Sequence, residues 1–139
     1  CALPICDQYG VRKPLFLKIA PDLENNDIKL IADLLLEFKI DAIIATNTTI
    51  ARDAVQGMEF GHEAGGLSGA PVRTASTAVI QSLKQFLGDA IPIIGVGGIL
   101  SGKDAVEKME AGASLVQLYS GLIYRGPKLI TECAAALRK

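Results

Sequence analysis

The stretch IPIIGVGGILSG, residues 91–102, decides the fold class of this chain. A short apolar run ends in a pair of glycines and a helical segment follows at once, which is typical of a buried strand that turns into a helix. The same order of strand, polar or glycine-rich turn and helix recurs at 15–38, 41–87 and 114–137. Four strands that alternate with four helices require parallel pairing through right-handed crossovers. The sequence therefore predicts an α/β fold.

Apolar residues recur at helical spacing in the predicted helices, so one face of each should pack on the sheet. The predicted strands are 15–20, 41–47, 91–96 and 114–119. The predicted apolar faces are Ile28, Ile31, Leu34, Leu35 and Phe38; Ala75, Val79, Leu83, Phe86 and Leu87; and Ile130, Cys133, Ala134 and Leu137. The predicted helix boundaries are Asp22 or Asn26 as the first N-cap, Gly88 and Asp89 as a stop, Ser101 with Asp104 as a capping box, and Pro127 at the start of the last helix.

The length and the placement of the glycines favour half of a barrel. An eight-unit (β/α)8 barrel takes roughly 250 residues, and the chain has 139. Its glycines follow several strands in turn, whereas an open nucleotide-binding sheet concentrates them after the first strand. We therefore expect the C-terminal half of a TIM barrel, with residues 1–139 in one domain and 1–13 as the tail of a preceding element. Because the chain begins at Cys1, we also expect a fragment.

Composition excludes several classes of function. The net charge is −1, with 14 Lys and Arg against 15 Asp and Glu, which gives no basic field for a nucleic-acid partner. Three cysteines without CxxC spacing and a single His predict no metal site. No apolar run approaches the roughly 20 residues that span a bilayer, and no leader-like segment opens the chain, so we expect neither a transmembrane nor a secreted segment.

Functional side chains of a barrel lie at the carboxyl ends of its strands. Lys18 interrupts an apolar strand and should face the cavity, although it could instead extend past the barrel end into solvent. Thr46, Asn47 and Thr48 offer groups that both donate and accept hydrogen bonds, as needed to orient a small polar ring, or they form a plain Asx turn.

Two further strand ends resemble a phosphate cradle. GVGGILSG (95–102) and YSG (119–121) let backbone N–H groups approach an anion, and a helix N-terminus would add its positive end. Glycines also make ordinary tight turns, but two such loops at consecutive strand ends favour the cradle. A third segment, GGLSG (65–69), could wrap the same ligand or act as a flexible lid.

An acid–base pair is not evident in the sequence. His62 lies in a polar loop, where a solvated side chain is the more common outcome. The carboxylates of Asp22, Asp41 and Asp104 have structural roles available at turns or caps, and no Ser/His/Asp or Cys/His set can be assembled. The sequence thus predicts a cofactor-holding chain without a general base.

Together, several segments resemble a class 2 dihydroorotate dehydrogenase, with bacterial members closest. They are KIAPD (18–22), ATNTT (45–49), GGLSGAP (65–71), PIIGVGG (92–98), AGASLVQLYSG (111–121) and RGP (125–127). The resemblance extends over nearly the whole chain from Lys13 onward. The TNTT and YSG patterns are more similar to the quinone-linked class than to the soluble class.

The resemblance implies a barrel that binds FMN and oxidises dihydroorotate to orotate in de novo pyrimidine biosynthesis, with a quinone as electron acceptor. By this resemblance the FMN contacts would be Lys18, Thr46, Ser68, Gly69, Gly97, Gly98, Tyr119 and Ser120, and Asn47 with Thr48 would hold dihydroorotate or orotate. A cation at Lys18 would balance negative charge at the flavin, and residues 97–101 with 119–121 would hold its phosphate.

The resemblance also implies parts that these residues do not contain. In the family, the catalytic Ser lies on an earlier loop and an N-terminal segment reaches the quinone, at the cytoplasmic side of the inner membrane, where the enzyme is peripheral. We therefore expect the isolated chain to be inactive, and a chain with the N-terminal half of the barrel to be its partner. The alternatives are another FMN or phosphosugar barrel, and a non-catalytic half-barrel that binds only cofactor or partner.

Overall fold

A computed structural model of the chain describes residues 8–10 and 12–138. The strands are β1 (Phe16–Ile19), β2 (Ala42–Ala45), β3 (Ile93–Val96) and β4 (Leu115–Gln117). The helices are α1 (Asn25–Glu37), α2 (Arg73–Leu87), α3 (Gly102–Glu110), α4 (Ser120–Arg125) and α5 (Lys128–Leu137), with 3-10 turns at Asp53–Val55 and Ala70–Val72. Most of the predicted tail, 1–13, lies outside the described residues.

The four strands form one parallel sheet in the order β1-β2-β3-β4. Lys18 pairs with Ile44, Ile44 with Ile94 and Ile94 with Leu115, so these four residues form one row across the sheet. Sequential parallel neighbours joined by helices are the arrangement that the alternating pattern predicted. The α/β prediction and its four strand–helix units are confirmed, and the short helix α4 is an addition that the sequence pattern did not predict.

The helices cover one face of this sheet. Side chains alternate between the two faces of a strand, and those of Ile19, Ile43 and Ile93 join the main core with α1 and α2. On the opposite face Phe16 is 48% exposed and Leu115 is 61% exposed. No second layer covers that face within the described part of the chain, which leaves it open to a ligand or to further polypeptide.

The three predicted apolar helix faces are each partly wrong. In α1 the buried residues are Ile28, Ala32 and Leu35, while Leu34 and Phe38 are 40% and 52% exposed. The reason is geometric, because α1 packs on the sheet and on α2. Its other flank only borders an open groove beside the edge strand β1, and this leaves Leu34 and Phe38 exposed.

The last helix and α2 show the same effect. In α5 the buried residues are Leu129 and Cys133, because they pack against Ile99 in the turn before α3 and against Ala105 in α3. Ile130 is 52% exposed and Ala134 is also exposed. In α2, Ala75 is exposed as well, although the rest of the predicted face is buried or half-buried.

The predicted caps have mixed outcomes. Ser101 is the N-cap of α3 and its hydroxyl accepts from the N–H of Asp104, as predicted. Gly88 ends α2 with φ 56°. Neither Asp22 nor Asn26 caps α1, since Glu24 stands at the N-cap without a side-chain bond and Asp22 binds Thr49 instead. Pro127 occupies the N-cap of α5, one position before the predicted one. No helix among the described residues is long and apolar enough to cross a bilayer.

Candidate functional site

A cavity of about 310 Å³ lies at the carboxyl ends of the four strands. All ten residues predicted as cofactor or substrate contacts line it: Lys18, Thr46, Asn47, Thr48, Ser68, Gly69, Gly97, Gly98, Tyr119 and Ser120. They come from five separate segments of the chain, four at strand ends and one, Ser68 with Gly69, in the loop before α2. Parallel strands bring their carboxyl ends to one edge of the sheet. The predicted set is therefore gathered at a single place.

The cavity also has lining residues that the sequence analysis missed. These are Val72 and Gln117. Val96, Ile99 and Gly121 also line it, but they lie in the segments 95–102 and 119–121 that were predicted as a phosphate cradle. Gln117 is the more informative of the two missed residues, because it is a polar residue inside a strand whose neighbours are apolar. The same signal identified Lys18, and it could have identified Gln117.

Lys18 and Gln117 approach the cavity from the outer strands, β1 and β4. Lys18 lies on the open face of the sheet, in the row with Ile44 and Ile94, and its side chain lines the cavity. Lys18 thus lines the cavity and is at the same time exposed to solvent. An ammonium group at this position gives the cavity a positive charge close to its polar lining.

The segment after β2 is held firmly. Thr46 is 2% exposed, and its N–H donates to the carbonyl oxygen of Val96 at 2.8 Å. The N–H of Thr48 donates to Oδ1 of Asn47 at 3.0 Å. This bond is similar to the Asx turn that the sequence offered as an alternative. It uses only the side-chain oxygen of Asn47, so the Nδ2 group can still donate to a ligand. Asn47 can therefore stabilise the turn and contact a ligand at the same time.

The two glycines after β3 are required by packing. Gly97 and Gly98 have φ of 123° and 73°, values that favour glycine. A Cβ at Gly98 would lie 2.4 Å from Cβ of Arg73, and one at Gly97 would lie 3.1 Å from Cβ of Ser76. The turn therefore rests directly on the first turn of α2 and lines the cavity with backbone. This backbone-lined wall fits a phosphate group.

The glycine segments 65–69 and 119–121 meet at this wall. Ser120 Oγ donates to Ser68 Oγ at 2.8 Å, across 52 residues of sequence. Leu67 pairs with Thr49 through two backbone hydrogen bonds of 2.8 and 3.0 Å. Through these bonds the loop that precedes α2 lies between the segments that follow β2 and β4, and all three segments line the same cavity.

The N-terminus of α3 is less available than the sequence suggested. The N–H of Leu100 donates to Asp104 Oδ2 at 3.0 Å, that of Gly102 to Glu132 Oε1 at 2.8 Å, and that of Asp104 to Ser101. These donors already have side-chain acceptors. The predicted contribution of this helix end to anion binding is therefore weaker than that of the glycine turn beside it.

A charged cluster that the sequence did not predict lies behind the glycine turn. Arg73 Nη1 binds Asp104 Oδ1 at 2.5 Å, and Lys108 is fully buried. Lys108 Nζ donates to the carbonyl oxygen of Arg73 at 2.9 Å and to Oγ1 of Thr77 at 2.7 Å. The sequence did contain a signal for the burial of Lys108. It lies at helical spacing after Asp104 and Ala105, so the three residues share one face of α3, and that face is buried.

The environment shifts two pKa values in this cluster. Burial lowers the pKa of Lys108 to about 8, with Arg73 acting in the same direction and Glu107 and Asp104 opposing. Burial raises the pKa of Asp104, but bonds from Leu100, Ser101 and Arg73 and the Arg73 charge outweigh it, and the pKa lies below its ordinary value. Arg73, Lys108, Asp104 and Glu107 thus form a balanced group of two cations and two anions.

His62 is exposed and does not line the cavity. Asp22, Asp41 and Asp104 all have structural bonds, as predicted: Asp22 to Thr49 and Asp41 to Arg12, besides those of Asp104. Across 8–10 and 12–138, no three His, Cys, Asp or Glu side chains are grouped as metal ligands.

Comparison with known proteins gives one consistent family. A sequence profile of the dihydroorotate dehydrogenase family matches residues 6–139. The dihydroorotate dehydrogenase (quinone) of Polynucleobacter necessarius subsp. necessarius is 74% identical over 135 residues, which cover 97% of this chain and 39% of that protein. The protein of the same name from Herminiimonas arsenicoxydans is 64% identical over 134 residues, with 96% and 39% covered.

Solved structures agree with the sequence comparison. DHODH from Eimeria tenella in complex with ferulenol superposes with a TM-score of 0.85 at 42% identity. The match covers 94% of this chain and 34% of that one. The chain thus spans about two fifths of the length of the curated relatives and about one third of the solved structure.

Proposed function

Because the chain belongs to the dihydroorotate dehydrogenase family, we propose that it supplies the FMN-binding and orotate-binding half of a quinone-dependent dihydroorotate dehydrogenase. The reaction is the oxidation of dihydroorotate to orotate in pyrimidine biosynthesis, with electrons passed to a quinone. One observation carries the proposal: ten residues selected from sequence line one cavity at the carboxyl ends of four parallel strands.

The lining chemistry fits FMN. The backbone wall at Gly97 and Gly98 suits the phosphate, and the hydroxyl pair of Ser68 and Ser120 lies on the same rim. Lys18 contributes a positive charge on the open face of the sheet. When bound, FMN would accept a hydride from the substrate. The residues of this chain bind and orient the two molecules.

Asn47 and Thr48 are the proposed substrate contacts. They line the cavity beside Lys18 and carry neutral donors and acceptors, which suit a ring with amide groups and a carboxylate. Their segment is fixed by the bonds of Thr46 to Val96 and of Thr49 to Leu67. Such rigid support is what holding a substrate in a reactive orientation requires.

The chain should act together with the rest of a barrel. We propose that residues 1–139 are the C-terminal part of one domain, and that a partner N-terminal half supplies the catalytic Ser and the route to the quinone. Phe16 and Leu115 on the open face of the sheet support this, since both are large and exposed. The complete enzyme would associate peripherally with the cytoplasmic side of the inner membrane.

A second candidate is a half-barrel that binds FMN or a partner without catalysis. The cavity lining favours it for the chain by itself, because the lining includes no His, Asp, Glu or Cys, and its two serines, Ser68 and Ser120, are the ones assigned to FMN. The two candidates differ in whether turnover appears once the missing part is supplied.

A chimaera tests the proposal. The chain replaces the matching 135 residues of the Polynucleobacter necessarius relative, and the purified protein is assayed for flavin absorbance and for dihydroorotate oxidation with a short-chain ubiquinone. We expect bound FMN and turnover. Flavin without turnover would favour the binding-only candidate, and a colourless, inactive but folded chimaera would contradict both.

A pair of variants assigns the activity to the cavity. Lys18→Met should lower kcat by about 100-fold or more, because it removes a charge placed to stabilise the transition state. Lys29→Met is the control, since Lys29 lies on the surface of α1 and pairs with Asp33. Equal activity of the two variants would argue against a role for Lys18 in turnover.

A further inference from the structure

The side chain of Lys108 joins α3 to the beginning of α2. It has no solvent exposure, and Nζ donates to the carbonyl oxygen of Arg73 and to Oγ1 of Thr77, at 2.9 and 2.7 Å. The single hydroxyl hydrogen of Thr77 has two acceptors within reach, the Arg73 carbonyl oxygen at 2.9 Å and Glu107 Oε1 at 3.1 Å. The buried ammonium group of Lys108 therefore fixes the first turn of α2 to α3.

That same turn of α2 supports the glycine turn of the cavity. A Cβ on Gly98 would lie 2.7 Å from Cα and 2.9 Å from N of Arg73. Ser76 donates its hydroxyl to the carbonyl oxygen of Val96 at 2.6 Å, directly before the glycines. Because Gly98 packs on the backbone of Arg73 without a gap, a displacement of the helix start would displace the glycine turn.

The helix start also controls a second wall of the cavity. Ser68 and Gly69 line the cavity, and the 3-10 turn Ala70–Val72 leads from them straight into α2. Fixing Arg73 therefore fixes two of the segments that line the cavity.

An apolar side chain of similar length would fill the Lys108 site without the energetic penalty of a buried charge. The neighbours that face Lys108 are Arg73 and Thr77 from α2, Gly95 from β3, and Asp104 with Glu107 from its own helix. Packing alone does not require an ammonium group there. The two bonds to α2 are what the charge adds.

We propose that Lys108 is a positioning residue for the phosphate end of the cavity. By holding the first turn of α2, it keeps the backbone N–H groups of Gly97 and Gly98 where they can bind a phosphate monoester. It does not contact the ligand. The inference rests on the proposed function, because the phosphate concerned is that of FMN.

Flavins with and without a phosphate separate this role from a general structural one. In the flavin-free chimaera, FMN and riboflavin are titrated into the wild type and into Lys108→Met, and melting temperatures are recorded. We expect the Kd of FMN to rise about 10- to 100-fold, the scale for residues that orient a binding group. The Kd of riboflavin should change by less than about twofold, since it lacks the phosphate.

Matched variants complete the design. Lys84→Met removes a lysine from the other end of α2, where it pairs with Asp89, and should leave both affinities unchanged. Thr77→Val removes one of the two acceptors of Lys108 and should give a smaller loss that is again selective for FMN. If Lys108→Met does not fold, the FMN-to-riboflavin ratio of Thr77→Val decides the question.

Other results overturn the inference. Equal losses for FMN and riboflavin would show a merely structural role, and an unchanged FMN affinity in a folded Lys108→Met protein would show none. A wild-type chimaera that binds neither flavin would overturn the proposed function and this inference with it. If the wild type and Lys108→Met both bind FMN, and with equal affinity, only the inference about Lys108 is overturned and the proposed function is not.

Discussion

Thr49 donates its hydroxyl hydrogen to the carboxylate of Asp22, and this bond ties the segment after β2 to the segment after β1. The other carboxylate oxygen of Asp22 accepts from the N–H of Ile50 at 3.2 Å, and Oγ1 of Thr49 accepts from that of Ala51 at 3.0 Å. Asn47 and Thr48 directly precede this joint. Their placement in the cavity therefore depends on a bond between two residues that bind no ligand in the proposed function.

Thr49→Val should raise the KM for dihydroorotate about tenfold and leave the FMN content unchanged. The substitution keeps the shape of the side chain and leaves Oδ1 of Asp22 without its hydroxyl donor, which loosens the segment that carries Asn47 and Thr48. Steady-state kinetics of the chimaera measure the effect. Thr131→Val, at an exposed position of α5, is the matched control. An unchanged KM in Thr49→Val would show that the joint does not orient Asn47 and Thr48.

Gly98→Ala should abolish FMN binding, whereas Gly88→Ala should not. Both glycines have positive φ, 73° and 56°, so a side chain would be strained at either position. A Cβ at Gly98 would meet three atoms of Arg73 within 2.9 Å, while one at Gly88 would meet nothing within 4 Å. Flavin content after purification, with circular dichroism as a check on folding, measures the difference. Comparable flavin content in the two variants would contradict a phosphate wall at Gly98.

Lys108 should make stability increase with pH in the alkaline range. Its pKa is about 8 in the folded chain, below the roughly 10.4 of an unfolded lysine. Between these values the unfolded chain binds more protons, so the free energy of unfolding rises with pH, by roughly 3 kcal/mol at most. Below pH 8 the residue is protonated in both states and contributes no slope.

The measurement is denaturant unfolding of the flavin-free chimaera from pH 7 to 10, with Lys108→Met as the reference. The difference between wild type and variant should shift in favour of the wild type as pH rises, because only the wild type loses a buried charge. A constant difference across this range would place the Lys108 pKa near its ordinary value.

Asp104→Asn should destabilise the fold by about 1–3 kcal/mol, since charge-assisted bonds to Leu100, Ser101 and Arg73 are weakened. The folded pKa of Asp104 is lowered, so its contribution is fully present above the unfolded pKa of about 3.9 and is lost as pH falls through the folded value. Asp27→Asn is the control, because Asp27 is an exposed acid in the first turn of α1. A stability difference between wild type and Asp104→Asn that persists unchanged to pH 2 would contradict this assignment.

The exposed apolar residues show where prediction from periodicity ends. The spacing of Leu34, Phe38 and Ile130 indicates an apolar face correctly, yet all three are at least 40% exposed. Periodicity reports which residues can share a face of a helix, and burial depends on whether another element lies opposite. On the flank of α1, the residues of β1 only border an open groove that leaves Leu34 and Phe38 exposed, and Ile130 on α5 is exposed as well.

The four strand–helix units and the strand ends at Lys18, Asn47, Gly97 and Ser120 could be predicted from sequence, because strand periodicity, glycine turns and the Ser101 cap are local signals. The contacts that support these strand ends depend on tertiary packing. Asp22 meets Thr49 across 27 residues, Ser68 meets Ser120 across 52, and Lys108 reaches Arg73 across 35. Such partners are brought together by the packing of whole elements, and nothing in the local pattern around either residue specifies the other.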